Sequence, residues 1–283
     1  VTEWDFPHEF VDRLEDWSAA GLRDELLRRD TPVVLGGAAR HWHALSTWTP
    51  RYLRSVVGDA VVTADVSPTR CFPAEVTGSH RRAMPLRELL DQTFFTDSGG
   101  NGLALLQASI PDHFPVLMTD LDPLPDLGAQ RSGVSLSLGP RGMQTRLRYD
   151  SAHVLLAQLQ GCRKFLLFGP ADSGRLYRHA LWRGGVRFSR VDATRPDFTR
   201  FPRFEDATAL RCTLEPGDLL WLPAFWWQLQ LCVQASIAVS LHWRARWTGY
   251  LHYRQFRWEL ATRAWDVLSA WRPAPEVSAD HGR

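Results

Sequence analysis

The sequence has almost no lysine. Of its 33 basic residues one, Lys164, is a lysine and the others are arginine, and 31 acidic residues reduce the formal net charge to +2. Basic and acidic residues are interspersed, so no nucleic-acid footprint is visible. Cysteine is scarce too. The four, Cys71, Cys162, Cys212 and Cys232, have neither C-x-x-C spacing nor a small disulfide framework, which predicts buried reduced thiols and a cytoplasmic protein. No apolar run approaches the length of a membrane span and no amino-terminal signal is visible, so neither membrane insertion nor secretion is expected.

What is present is ordinary in bulk, with 45% hydrophobic and 23% charged residues over 283 positions, and this favours one globular unit with a large core. Two stretches organise it. The first runs from Leu138 to Pro170, where a turn at Gly139-Pro140-Arg141-Gly142 leads into Thr145 to Asp150 and an apolar run, Val154 to Leu159. Gly161-Cys162-Arg163-Lys164 then turns the chain back into Phe165 to Phe168. The second runs from Leu214 to Gln230: Pro216-Gly217-Asp218 makes the turn, Leu219 to Leu222 a strand, and Pro223 precedes Phe225-Trp226-Trp227. Ser236 to Leu241 reads as a further strand. Short apolar runs bounded by Gly and Pro predict an antiparallel sheet.

These stretches resemble the JmjC or cupin-8-like family of iron(II) and 2-oxoglutarate oxygenases. The family pattern runs roughly G-x-x-T-P-x-H-x-D, H-N-L-L-x-Q-x-x-G-x-K and P-G-D-x-x-x-x-P-x-x-W-W-H; this chain reads G-M-Q-T-R-L-R-Y-D, H-V-L-L-A-Q-L-Q-G-C-R and P-G-D-L-L-W-L-P-A-F-W-W-Q. The resemblance extends to TPVVLGGAARHW, STWTPRYLRSVVGD, LYRH and RFPRF, and so covers most of the chain. It implies a mainly β fold with flanking helices, a double-stranded β-helix of the cupin or jelly-roll kind. Residues 1–283 would form a single domain: 1–130 as helices and strands flanking the barrel, 131–243 as the core, and 244–283 as a carboxy-terminal helical tail.

The departures from the pattern bear on chemistry. The resemblance implies a metal triad of His, Asp and His, and here those positions hold Arg148, Asp150 and Gln228. A guanidinium has no lone pair to give and stays charged, so Arg148 is no ligand and repels a cation. Val154 replaces the family's Asn, and Arg163 replaces the Lys that holds the far carboxylate of 2-oxoglutarate. Thr145 is retained. Arg163 can grip a carboxylate bidentately, so an anion site can outlive the metal site. Family positions also place Trp221, Trp226, Trp227 and Trp243 in the pocket or barrel. With period-two alternation, Arg148, Asp150 and Val154 share the inner face and His153 points away. The resemblance implies that Leu241 and Trp243 face the interior, which puts His242, between them, out of phase as well.

Two residues apart on one face, Arg148 and Asp150 can form an ion pair that plugs a dead site. Alternatively Arg148 presents a fixed positive charge to an anionic or carbonyl-bearing ligand, with Asp150 orienting it. Three functions follow. The leading one is a metal-independent, non-oxidative enzyme (isomerisation, cyclisation, dehydration or hydrolysis) on a small-molecule or carrier-bound biosynthetic intermediate, with Arg148, Asp150 and Gln228 as catalytic residues and no cofactor. The second is an iron(II) and 2-oxoglutarate hydroxylase with substitute ligands. The third is a non-catalytic binding or regulatory protein.

Along the rest of the chain, His8 to Arg29 reads as an amphipathic helix from Phe10, Leu14, Trp17, Leu22 and Leu26. A helix is expected from Thr49-Pro50, and strands over Thr31 to Leu35, Val61 to Val66 and Leu103 to Ile110. Ser67 to Gly102 reads as a polar lid with a short helix at Pro85 to Phe95. Leu181 to Asp206 reads as a charged, solvated connection or a cover over the opening. The tail after Trp243 has the broad apolar face of a helix that packs on the barrel or on a second copy, and family habit points to a homodimer.

Overall fold

The computed structural model describes residues 4, 7–16, 25–72, 80–96, 102–121, 127, 131–179 and 187–244, all within one compact unit spanning residues 1–245. The carboxy-terminal tail, and the expected homodimer helix on it, lie outside the described residues. In chain order the strands are β1 (His8–Phe10), β2 (Asp12–Leu14), β3 (Val33–Leu35), β4 (Val61–Val66), β5 (Cys71–Phe72), β6 (His80–Pro85), β7 (Leu103–Ser109) and β8 (Arg131–Gly139). They continue as β9 (Gln144–Thr145), β10 (Arg148–Tyr149), β11 (Ala152–Gln160), β12 (Arg163–Phe168), β13 (Ala209–Leu214), β14 (Leu219–Leu222), β15 (Trp227–Cys232) and β16 (Ser236–Arg244).

Two sheets result. The smaller runs β1-β13-β12-β15-β9-β5, with β10 also on β15; the larger runs β2-β3-β14-β11-β16-β8-β7-β4-β6. Consecutive strands such as β11 and β12 lie in different sheets, and each pairs with strands far along the chain, which is the double-stranded β-helix the motifs predicted. Gly161 makes the crossing between them at φ 74, where a Cβ would meet the Ala235 carbonyl oxygen, so only glycine fits there. Facing residues from the two sheets, among them Val154, Leu156, Leu220 and Leu222 against Phe165 and Leu167, form the barrel interior. A larger cluster covers the other face of the larger sheet, where Leu155, Trp221 and Trp243 pack with Trp42, Trp48, Leu53 and Leu89 from the helical additions. Both faces of the larger sheet are therefore buried.

The helices include Pro50–Val57, which Thr49 caps by accepting a hydrogen bond from the Tyr52 amide at 3.1 Å, and Leu86–Phe94. No helix among the described residues is long and apolar enough to cross a membrane.

Two expectations are corrected. The run from His8 is not helical at its start: β1 pairs in parallel with β13 and β2 with β3, and helical structure is described only over residues 25–28. Ladder pairing, His8 with Ala209 and Asp12 with Val33, outweighs a local period that fits either reading. The region after Ser67 is also less open than a polar lid, because β6 pairs with β4 along its whole length and β5 joins β9. The four cysteines are free thiols, three of them buried, and burial raises Cys212 to about 12 and Cys162 to about 11.

Candidate functional site

Arg148 and Gln228 are cross-strand partners, directly opposite each other where β10 meets β15. Gln228 is in turn opposite Leu167 of the interior cluster, so this face of β15 looks into the barrel. The guanidinium Nε of Arg148 is buried with no hydrogen-bond partner. Burial lowers the pKa of the group from its ordinary value, against the opposing pull of Asp150 and Asp65, while Arg187 acts with the burial. The side chain remains a cation held in a poorly solvating place. An unmet donor of this kind costs about 1–3 kcal/mol.

Of the two arrangements open to Arg148, the ion pair with Asp150 does not form: among the described residues, the cation in salt-bridge range of Asp150 is Arg187, at 3.8 Å. Asp150 Oδ1 instead accepts from the Ala152 amide at 3.1 Å, which closes a local turn and aims the carboxylate along the chain rather than back at residue 148. The segment carrying Arg187 runs beside β10, with Tyr149 N donating to Arg187 O and Ser189 N to Leu147 O. Arg187 also donates to Ser151 Oγ at 3.1 Å. The described end of the charged connection is thus built into the rim of the barrel. Phe225, in the left-handed region at φ 70, donates its amide to Asp150 O at 2.7 Å and pins the aromatic loop to the same rim.

A polar relay leads deeper. Gln230 Nε2 donates to Gln228 Oε1 at 2.9 Å, and Arg163 donates to Gln230 Oε1 at 3.4 Å and to Ser137 O at 3.3 Å. Arg163 is 1% exposed, its Nε has no partner, and no described carboxylate lies within salt-bridge range. Thr145 Oγ1 accepts from the Gln230 amide at 3.0 Å and fixes this strand. Arg163 is thus joined to Gln228 through Gln230 with no carboxylate in salt-bridge range among the described residues, while Arg148 stands opposite Gln228 with Asp150 and Asp65 as the negative charges that act on it.

The tryptophans divide. Trp226 joins the interior cluster, and its Nε1 donates to Asp30 O at 2.7 Å. Trp221 and Trp243 do not line the interior: they pack in the outer cluster, 6.4 Å apart. Trp227 also faces outward, edge-on to Tyr149 at 4.8 Å with its Nε1 on Ser173 Oγ. Val154 stands on the inner face.

His153 is packed outside the barrel interior, stacked on Trp221 at 5.3 Å and accepting from the Ala224 amide. The reading of His242 as out of phase is overturned. His242 pairs with Val154 and so shares the inner face, where its Nε2 lies 3.2 Å from Ser135 Oγ. The error came from placing Leu241 and Trp243 inside; on a sheet buried on both faces, apolar residues do not tell one side from the other. A usable signal was in the polar residues: Ser135-Leu136-Ser137, Gln228-Leu229-Gln230 and Ser240-Leu241-His242 alternate within otherwise apolar strands. A cavity of about 290 Å³, walled by Trp4, Phe10, Lys164, Arg211, Cys212 and Leu231 among others, includes none of these residues.

Residues 19–248 match the family described as cupin-like domain. The chain is 29% identical to lysine-specific demethylase 8 of Xenopus tropicalis over 82% of its own length and 52% of the relative's. It is 28% identical to the bifunctional peptidase and (3S)-lysyl hydroxylase JMJD7 of Homo sapiens, covering 74% of this chain and 76% of that one. It is also 28% identical to tRNA wybutosine-synthesizing protein 5 of Danio rerio, covering 70% and 64%. The chain thus spans about half to three quarters of these relatives. With fold, motif order and a match over most of its length agreeing, the chain belongs to the cupin-like domain family, within the JmjC and 2-oxoglutarate oxygenase superfamily.

Proposed function

We propose that this chain is a metal-independent member of its family, a non-oxidative enzyme that binds an anionic small-molecule or carrier-bound substrate against Arg148 and Arg163. The observation that carries this reading is the half-buried Arg148 opposite Gln228, whose Nε is buried without a hydrogen-bond partner.

The residues at the positions the resemblance assigns to iron do not fit it. Arg148 has no lone pair. The Oε1 of Gln228 already accepts from Gln230, which leaves Asp150 as the anionic donor, and no group of three His, Cys, Asp or Glu suited to a metal occurs among the described residues. Arg163 does fit a carboxylate, having unspent donors and no counter-charge in range.

In this reading Arg163 anchors the substrate's carboxylate or phosphate, and the Gln230–Gln228 relay holds the inner wall rigid. Arg148 supplies a fixed positive charge where negative charge develops on a carbonyl oxygen. Such preplaced charge lowers a barrier by about 3 kcal/mol, roughly 100-fold in rate. Asp150, held by the Ala152 amide and near Arg187, positions the rim rather than orienting Arg148. The substrate is a small molecule or carrier-bound intermediate rather than a nucleic acid.

Anaerobic incubation with excess iron(II), desalting and elemental analysis tests this. The expected result is no retained iron, where a relative with an intact His-Asp-His triad retains about one equivalent. Near-stoichiometric iron that disappears in Asp150→Ala would overturn the proposal and turn the search to substitute ligands and a hydroxylated product.

A further inference from the structure

A serine and a histidine stand together on the inner face of the larger sheet. Ser135 of β8 is directly opposite Ser240 of β16, and His242 lies two residues further along β16, so Ser135 and His242 are diagonal neighbours pointing to one side of the sheet. Ser135 Oγ is 3.2 Å from His242 Nε2. We propose that Ser135 is a nucleophile and His242 its base, so that the barrel performs acyl transfer on a carboxylic ester or thioester; this rests on the metal-independent reading above.

A serine hydroxyl is a weak nucleophile until a neutral imidazole within hydrogen-bond reach takes its proton. The serine–histidine geometry meets that requirement. Burial lowers the pKa of His242, so the ring is neutral at pH 7 and can accept. The charged groups that act on it are Asp150, which favours the protonated ring, and Arg148, which disfavours it. Those two have complementary uses during attack. The imidazolium that forms on His242 is stabilised by Asp150, and the oxyanion on the acyl carbon meets the positive charge of Arg148.

The step balances without an external oxidant or reductant. The Ser135 Oγ–acyl bond forms, the Oγ proton passes to His242 Nε2, and the bond from the acyl carbon to the leaving oxygen or sulfur breaks as the leaving group takes that proton. Water, deprotonated by the same imidazole, then releases the acid and restores Ser135. A purely structural role is the competing account, since Ser135 Oγ also lies 3.5 Å from Ser240 O, at the limit of a hydrogen bond.

The test is covalent labelling of the whole chain by an alkyl fluorophosphonate in the presence of a chelator, read by intact mass and peptide mapping. In labelling, an Oγ–phosphorus bond forms, fluoride leaves, and His242 takes the proton. One adduct on Ser135 is expected, absent in Ser135→Ala and formed about 100-fold more slowly in His242→Gln. The rate should fall on acidification through the lowered pKa of His242. No adduct, or an adduct only elsewhere, under conditions that fully label a known serine hydrolase overturns the proposal. The wild-type map decides this even if a variant fails to fold. Retained iron in the separate loading experiment overturns the metal-independent reading; a missing adduct on a chain that takes no iron overturns acyl transfer alone.

Discussion

Arg148 is an expensive residue, and its cost separates a plug from a working group. A guanidinium that filled a dead site would be matched by its neighbours, yet its Nε has no partner and Asp150 turns to the Ala152 amide and Arg187. Replacing a poorly matched buried charge with an apolar side chain of similar length is neutral or stabilising. Arg148→Met should therefore raise stability, by about 1 kcal/mol in denaturant unfolding. The same variant should lose the binding of a small dicarboxylate measured by calorimetry in chelator. A structural plug predicts the opposite, a clear loss of stability with no change in ligand binding. This residue was legible because Thr145 and Asp150, kept on either side of it, fix its place in the motif. His242 was not, since its orientation depends on which face of a doubly buried strand looks inward.

The core strands β11, β12 and β14 could be read from sequence because each is an apolar run closed by Gly or Pro, and β16 from its apolar run alone. Strands β1 and β2 could not, because their partners, β13 and β3, are set by tertiary pairing rather than by any local signal. What locks β2 to the β13–β14 turn is Asp218. It accepts from both terminal nitrogens of Arg13 at 2.9 Å, from the Gly37 amide at 3.1 Å and from the Glu215 amide at 3.0 Å. Burial pushes this carboxyl up, but the Arg13 and backbone donors outweigh it and hold its pKa below the ordinary value. A depressed folded pKa gives stability that is complete above the unfolded value, about 3.9, and is lost as pH falls through the folded one. Asp218→Asn should then lower stability at pH 7 by about 2 kcal/mol and flatten the acid limb of the unfolding curve below about pH 4. An acid limb unchanged from the parent would show that Asp218 does not govern this turn.

At the scale of the whole molecule, the question is whether the barrel has lost its metal geometry or only its ligands. The cross-strand register places residues 148 and 228 directly opposite each other, with residue 150 two positions along, and that arrangement is fixed by β12, β15 and the Phe225–Asp150 backbone bond rather than by the side chains themselves. If backbone placement alone decides, Arg148→His together with Gln228→His supplies two imidazoles to stand with Asp150, a His–carboxylate–His set of the kind that binds iron(II) with open positions. The double variant should retain about one equivalent of iron after anaerobic loading, lost again when Asp150→Ala is added. Each single variant should retain little, since Arg148 or Gln228 would still stand in the third place. Failure of the folded double variant to hold iron would mean that the scaffold has moved as well as the ligands. Arg148 and Arg163 would then belong to a site reshaped for anions throughout, not to an oxygenase site with substituted side chains.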